Sequence, residues 1–269
     1  MTQQASRRCS FCQEPGGSRE HALPLWLTRT MGIESEPAHP GMVSTERGLE
    51  LQGNPRATGD LVTKRVCHQC NNGWMRDLEN RIIPLLSPLV TIDTPTFDRA
   101  SLEPLRANLS LVCRWLMKTA VTLSQVMPPG KDGTLPGDAP SWAFRNEVPK
   151  SCMLYAGWIE DARFHPTLRR GFQCLNGGRI HAYQIHEHSF NVCIQFMHLG
   201  LRFVNAPHAT WALTDCRDAS GRRCRPSILM PTGHFADGAD DSIRFTDFGA
   251  FSQVCVVSTG RMVNDLDPE

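Results

Sequence analysis

The sequence predicts an α+β protein in three parts, and three observations carry that expectation. Two Cys-x-x-Cys pairs, Cys9 with Cys12 and Cys67 with Cys70, stand in the first third, the second directly before "NNGWMRDLENRIIPLL". Residues 101–127, "SLEPLRANLSLVCRWLMKTAVTLSQVM", read as a helix that is apolar nearly all round and is therefore buried between two layers. From residue 151 the pattern turns to short apolar or alternating runs separated by Gly, Pro, Asn and Asp, which predicts a mostly antiparallel sheet. The expected parts are residues 1–90, a cysteine-bearing module; 91–150, the central helix and a linker; and 151–269, a β-rich domain.

Composition narrows the classes of function. A chain of 269 residues that is 41% hydrophobic can fill a sizeable core. A formal net charge of +1 provides no global field for a polyanion. No run approaches the roughly 20 apolar residues that span a bilayer, and "MTQQASRRCSFCQEPGG" lacks the apolar core of a signal peptide. A cytoplasmic protein without a membrane partner is expected. Eleven cysteines is an odd number, and a reducing compartment disfavours disulfides, so the paired cysteines read as metal ligands.

Along the chain, "EHALPLWLTRTMG" reads as a strand end running into a short helix. Residues 32–60 read as loop with one hairpin, and "DLVTKRVC" as a strand. Asn71 or Asn72 can cap the next helix by accepting the free N–H groups of its first turn. Trp74, Leu78, Ile82, Leu85 and Leu86 make its apolar face, and Pro84 predicts a break near its end. Residues 128–140 read as an exposed linker. "CMLYAGWI", "RIHAYQIH", "FNVCIQFMHLGLRFV", "TWALTDC", "CRPSILMP" and "FSQVCVVST" are the expected strands, and "DCRDASGRRC" a hairpin.

Each Cys-x-x-Cys pair can offer two thiolates to one ion across a tight turn, and two such knuckles complete a tetrahedral zinc site. The ligands are then Cys9, Cys12, Cys67 and Cys70, with the interval between the knuckles looped out. His68, inside the second knuckle, is an alternative fourth ligand. A closed shell of four thiolates has no open position, so this Zn2+ is structural and any chemistry needs other residues.

"SREHALPLWL" supplies such residues. A cysteine knuckle, an acid–His pair, then a second knuckle followed by Asn: over residues 9–86 this order resembles the HNH endonucleases with a zinc-stapled ββα-metal fold. The resemblance implies a nuclease in which His21 activates water, Glu20 holds a catalytic Mg2+ or Mn2+, and Asn71 is the residue after the second knuckle. A neutral imidazole suits the first task and a carboxylate oxygen the second. The sequence departs from the family in having no Asn shortly before the second knuckle. It also has Trp74 where His or Lys often stands. "EHALPLWL", "CNNGWMRDLE" and "WLMKTA" together resemble a bacterial protein group that joins an HNH-like zinc module to a helix with a W-x-x-K-T-A pattern and a β-rich remainder. That wider resemblance implies an architecture, not an activity.

Other residues carry weaker expectations. Glu79 reads as an ion-pair partner, with Arg76 nearest on its face, or as a substitute ligand. Lys118 either extends to the surface or pairs with an acid. His186 and His188 share a strand face and read as solvent-facing before they read as metal ligands. Arg217, Arg222, Arg223 and Arg225 cluster at a hairpin tip, where Arg can meet phosphate. The leading expectation is a metal-dependent nuclease acting on DNA or RNA. Its alternative is a catalytically inactive HNH-like zinc module that binds nucleic acid or protein. A zinc-stabilised regulatory protein with a ligand-sensing β domain is a third.

Overall fold

The structure is a computed structural model. It describes residues 8–38, 41–45, 48–52, 54–91, 98–126, 135, 137–147, 152–160, 172–177, 190–205, 210–213, 221–222, 227–228, 243–246, 251 and 255–258. The expected strand at "RIHAYQIH" and the pair His186 and His188 lie outside these residues. So does the arginine hairpin apart from Gly221 and Arg222.

The architecture is α+β. Strand β1, Ser18–His21, is followed by helix α1, Leu25–Thr30. The interval between the knuckles is then looped out as two nested ribbons. The outer pairs β2, Pro37–Ala38, with β5, Arg56–Ala57; the inner pairs β3, Gly41–Thr45, with β4, Gly48–Gln52. Strand β6, Val62–Val66, returns antiparallel to β1, setting Glu20 opposite Thr63 and His21 opposite Val62, with a bulge between Ser18 and Glu20.

Helix α2, His68–Cys70, continues through a π turn at Asn71–Met75, with a kink at Gly73, into α3, Arg76–Leu86. The expected apolar face is present: Leu78, Ile82 and Leu86 are buried, and Trp74 and Leu85 pack against the same core. Pro84 does not stop the helix, which runs two residues further. The ring removes only one N–H, close to where the ladder ends in any case.

The single helix expected over 101–127 is two. Helix α4, Glu103–Ala107, ends at Asn108, and α5, Leu109–Val126, begins after it. The Asn108 side-chain amide donates to the Pro104 carbonyl at 2.9 Å. It thereby competes for a helical acceptor, which is how Asn interrupts helices. The expected linker also yields a helix, α6, Ala139–Arg145, closed by Asn146 in the left-handed region at φ 61°. Asn tolerates that conformation better than most residues.

Beyond residue 151 lie β7, Cys152–Ile159; β8, Phe172–Gly177; β9, Phe190–Phe196; β10, Leu199–Asn205; β11, Thr210–Leu213; β12, Ser227–Ile228; β13, Arg244–Phe245; and β14, Cys255–Ser258. The main sheet runs β12-β7-β10-β9-β8, all antiparallel, with β13 parallel to β7. Strands β11 and β14 form a separate antiparallel pair. Phe245 and Phe251 lie on the sheet because Gly157 and Gly200 leave room. A Cβ at Gly157 would stand 2.6 Å from the Phe245 ring, and one at Gly200 2.8 Å from the Phe251 ring.

Helix α5 joins the two halves. Trp115 touches Trp26 of the N-terminal part, with centroids 6.3 Å apart, and Phe196 of β9 at 5.8 Å. This is the burial between layers that the all-round apolar pattern predicts. No helix among the described residues is long and apolar enough to cross a membrane.

Candidate metal centre

The first knuckle is a tight turn. Cys9 N–H donates to Glu14 O at 2.7 Å, Gln13 N–H to Cys9 O at 3.0 Å, and Gln13 takes φ 68°. Two backbone bonds dock it on β6, Ser10 N–H to Arg65 O and Gly17 N–H to Val66 O. The second knuckle is the step from β6 into α2. There Cys67 is itself the helix cap, its Sγ accepting the Cys70 N–H at 3.3 Å. The expected Asn cap is therefore corrected, because a thiol one turn earlier already meets the first-turn donor. Asn71 instead donates to Ser18 Oγ at 2.6 Å and to Arg19 O at 3.2 Å, tying the helix to β1.

These anchors bring Cys9, Cys12, Cys67 and Cys70 together, with all four Sγ atoms within 4.8 Å of one another. Cys12 Sγ and Cys67 Sγ are 3.5 Å apart. A tetrahedron with metal–sulfur bonds of about 2.3 Å has edges of about 3.8 Å, so the cluster fits a metal ion. Cys9, Cys67 and Cys70 are buried and Cys12 is half-buried. His68 is exposed and does not join them.

The surroundings act unequally on the thiols. At Cys9 burial opposes ionisation, but the backbone N–H groups of Cys12, Phe11 and Cys67 outweigh it and hold the thiol below its ordinary range. Burial pushes the Cys12 thiol up. Burial pushes Cys70 up further, against a pull in the other direction from the Trp74 indole. That indole N–H is buried without a partner of ordinary hydrogen-bond geometry, as expected of a donor facing the large, soft acceptor sulfur. Several thiolates this close repel one another, and a divalent cation removes that repulsion.

A buried ionic group joins β1, α3 and α5. Lys118, fully buried on α5, places Nζ 2.6 Å from Glu20 Oε1 and 3.0 Å from Glu79 Oε1. Glu79 also accepts from Trp115 Nε1 at 3.1 Å and from Trp26 Nε1. Burial acts to lower the Lys118 pKa, and the charges of Glu79 and then Glu20 outweigh it, leaving it raised. The W-x-x-K spacing thus has a physical reading: residues three apart on a helix face deliver two donors to one carboxylate. The expected pairing of Glu79 with Arg76 is corrected, since Arg76 meets Asp77 instead. Sequence proximity favoured Arg76, and desolvation favours the buried ammonium.

Glu20 and His21 are neighbours on β1, and successive strand side chains leave by opposite faces. With Glu20 turned to Lys118, the His21 imidazole leaves by the other face. His21 is half-buried and has no side-chain hydrogen bond or ion pair among the described residues. Trp74 packs edge-on against Phe11 at 5.3 Å and Phe144 at 6.1 Å, and the Arg114 guanidinium lies 4.7 Å from its centroid. Arg114, which sequence reading missed, also donates to the Ala143 and Phe144 carbonyls and closes the end of α6. Gln125 of α5 bridges Thr63 Oγ1 and Ser10 Oγ, linking the first knuckle to the central helix.

Comparison with protein families, with curated proteins and with solved structures finds no match. The geometry therefore carries the assignment: a four-cysteine cluster able to hold a metal ion, at the base of a hairpin that leads into a helix.

Proposed function

We propose that residues 1–90 form a zinc-stapled, HNH-like module that binds a partner, nucleic acid or protein, without cleaving it. Zn2+ is the ion because four thiolates in a tetrahedral shell suit it and need no redox chemistry. Thiolate ligands also favour a reducing location such as the cytoplasm. The hairpin of β1 and β6 followed by α2 and α3 supports the HNH-like reading, as does the order of knuckle, acid–His pair and knuckle.

One observation carries the binding reading. The acid in the place of a nuclease metal ligand, Glu20, has an oxygen 2.6 Å from a buried ammonium. A carboxylate neutralised in this way is a poor ligand for Mg2+, which keeps its waters unless charge draws it in. Nucleic acid is favoured over protein by Arg19, Lys64 and Arg65, exposed on β1 and β6 and without ion pairs among the described residues. The test uses purified protein with several divalent metals on DNA and RNA. Retention of labelled nucleic acid that weakens steeply with salt, with no cleavage, is expected. Metal-dependent cleavage would reject the reading, and failure to retain either nucleic acid at low salt would move the partner to protein.

The second reading is the nuclease, with His21 as general base and Glu20 on Mg2+ or Mn2+. The His21 imidazole, without a side-chain partner among the described residues, favours it. If it is right, wild-type protein cleaves, and His21→Ala loses about 10²–10⁴-fold of the activity while keeping zinc, as loss of a general base does.

A further inference from the structure

The four sulfurs are not equally sheltered. Cys9, Cys67 and Cys70 are buried, and Cys12 is the half-buried member. Cys12 is therefore the sulfur that a small oxidant from solvent meets first, and access is one of the two things that decide which cysteine reacts. Its neighbour across the knuckles, Cys67 Sγ, is 3.5 Å away. A disulfide needs about 2.05 Å, a closure that side-chain rotation and a small knuckle shift can supply.

We infer that the centre is also a redox switch, in which a peroxide oxidises Cys12 and Cys67 to a disulfide and the metal is released. The inference rests on the zinc reading above. In the first step the Cys12 thiolate attacks one peroxide oxygen; the O–O bond breaks, Cys12 becomes a sulfenic acid, and the departing hydroxide takes up a proton to leave as water. In the second, the Cys67 thiolate attacks the Cys12 sulfur; the S–S bond forms, the S–O bond breaks, and hydroxide again leaves as water after taking up a proton. Two thiolates, one hydrogen peroxide and two protons thus give one disulfide and two waters. The sulfurs lose two electrons and the peroxide oxygens gain them. Cys9 and Cys70 remain, and two thiolates cannot close a tetrahedral shell. Because the disulfide joins one cysteine of each knuckle, the knuckles stay tethered, and a dithiol reductant with added zinc resets the site.

The buried thiols elsewhere are an internal control. Cys113, Cys152 and Cys193 are buried, and burial raises Cys113 to about 12, so that it stays protonated and slow to oxidise.

The experiment uses the full chain as purified. Zinc is first measured by elemental analysis; hydrogen peroxide is then added beside a chromogenic zinc chelator, and the disulfides are mapped by mass spectrometry. About one zinc per chain beforehand, its release by peroxide, a first disulfide between Cys12 and Cys67, and recovery with dithiothreitol and zinc are expected. Zinc absent at the start overturns the metal reading and the switch together. Zinc present but held under excess peroxide overturns the switch alone. So does a first disulfide at any other pair, or oxidation that begins at Cys113.

Discussion

Lys118 shows what a single residue contributes here. A fully buried ammonium is expensive to desolvate, and it is tolerated because Glu20 and Glu79 stand on either side of it. Removing it leaves two carboxylates facing each other at low exposure. Lys118→Met is therefore expected to cost about 3–5 kcal/mol, the usual penalty for breaking a buried pair by deleting one partner. Urea unfolding measures it, and a loss under about 1 kcal/mol would mean that water reaches the group. Glu79→Gln in the Lys118→Met background should recover part of the loss, because the two deletions share one network. The pH dependence has a definite sign. The folded Lys118 pKa is raised above its unfolded value, so the stability from the pair is whole below the unfolded value of about 10.4. It is lost as pH rises through the folded pKa. An alkaline titration of stability should fall in that window for wild type and not for Lys118→Met. Sequence exposed the possibility, since a lone Lys in an apolar helix must reach water or an acid. It could not name the acids, because Glu20 and Glu79 meet Lys118 only after β1, α3 and α5 have packed.

At the scale of elements, the cysteine pairs were the most legible feature. Ligand chemistry fixes both residue type and local spacing, and the four sulfurs meet as that spacing requires. Strand β7 was legible for a similar reason, as buried strands need unbroken apolar runs; the single run "FNVCIQFMHLGLRFV" instead folds as two strands, β9 and β10, about a turn in which Met197 takes φ 53°. The breaks were not legible. Asn108 divides the central helix through a side-chain bond to Pro104, and nothing in hydrophobic periodicity reports a local competitor. Helix α6 was hidden because its stability is borrowed: a helix this short is marginal alone, and Arg114 of α5 closes its end. The link between helix and hairpin is testable at Asn71. Asn71→Ala deletes the donors to Ser18 Oγ and Arg19 O, leaving buried Ser18 without that partner. A loss of about 1–3 kcal/mol is expected, the cost of an unsatisfied buried polar group, with zinc still bound. Unchanged stability in thermal unfolding would show that water replaces the amide. Loss of zinc from Asn71→Ala would show instead that the tether builds the second knuckle.

The whole molecule turns on α5, which meets Glu20 and Glu79 on one side and the sheet on the other. The buried core is continuous from Cys9 to Ile243, with Trp115 between Trp26 and Phe196. The parts 1–90, 91–150 and 151–269 rest on changes of pattern, and pattern marks where elements change type, not where a core ends. Metal removal tests whether the parts are also units of stability. A structural metal contributes its binding energy to folding, so a chelator should unfold the knuckles and free β1 from β6. Glu20 and the Ser10–Gln125–Thr63 bridge then leave α5. The helix loses one of the layers that bury it, and Trp115 loses its seat against Trp26. Hydrogen exchange reads the consequence directly. With zinc, amides of β6, α5 and β10 should open only near global unfolding, as core elements do. After chelation, protection should fall in all three, with β6 and α5 losing most. If β10 keeps its full protection while β6 exchanges freely, the sheet is an independent domain and the continuous core is only contact. If all three fall together in one calorimetric transition, the metal at one end of the chain stabilises the sheet at the other, and α5 carries the coupling.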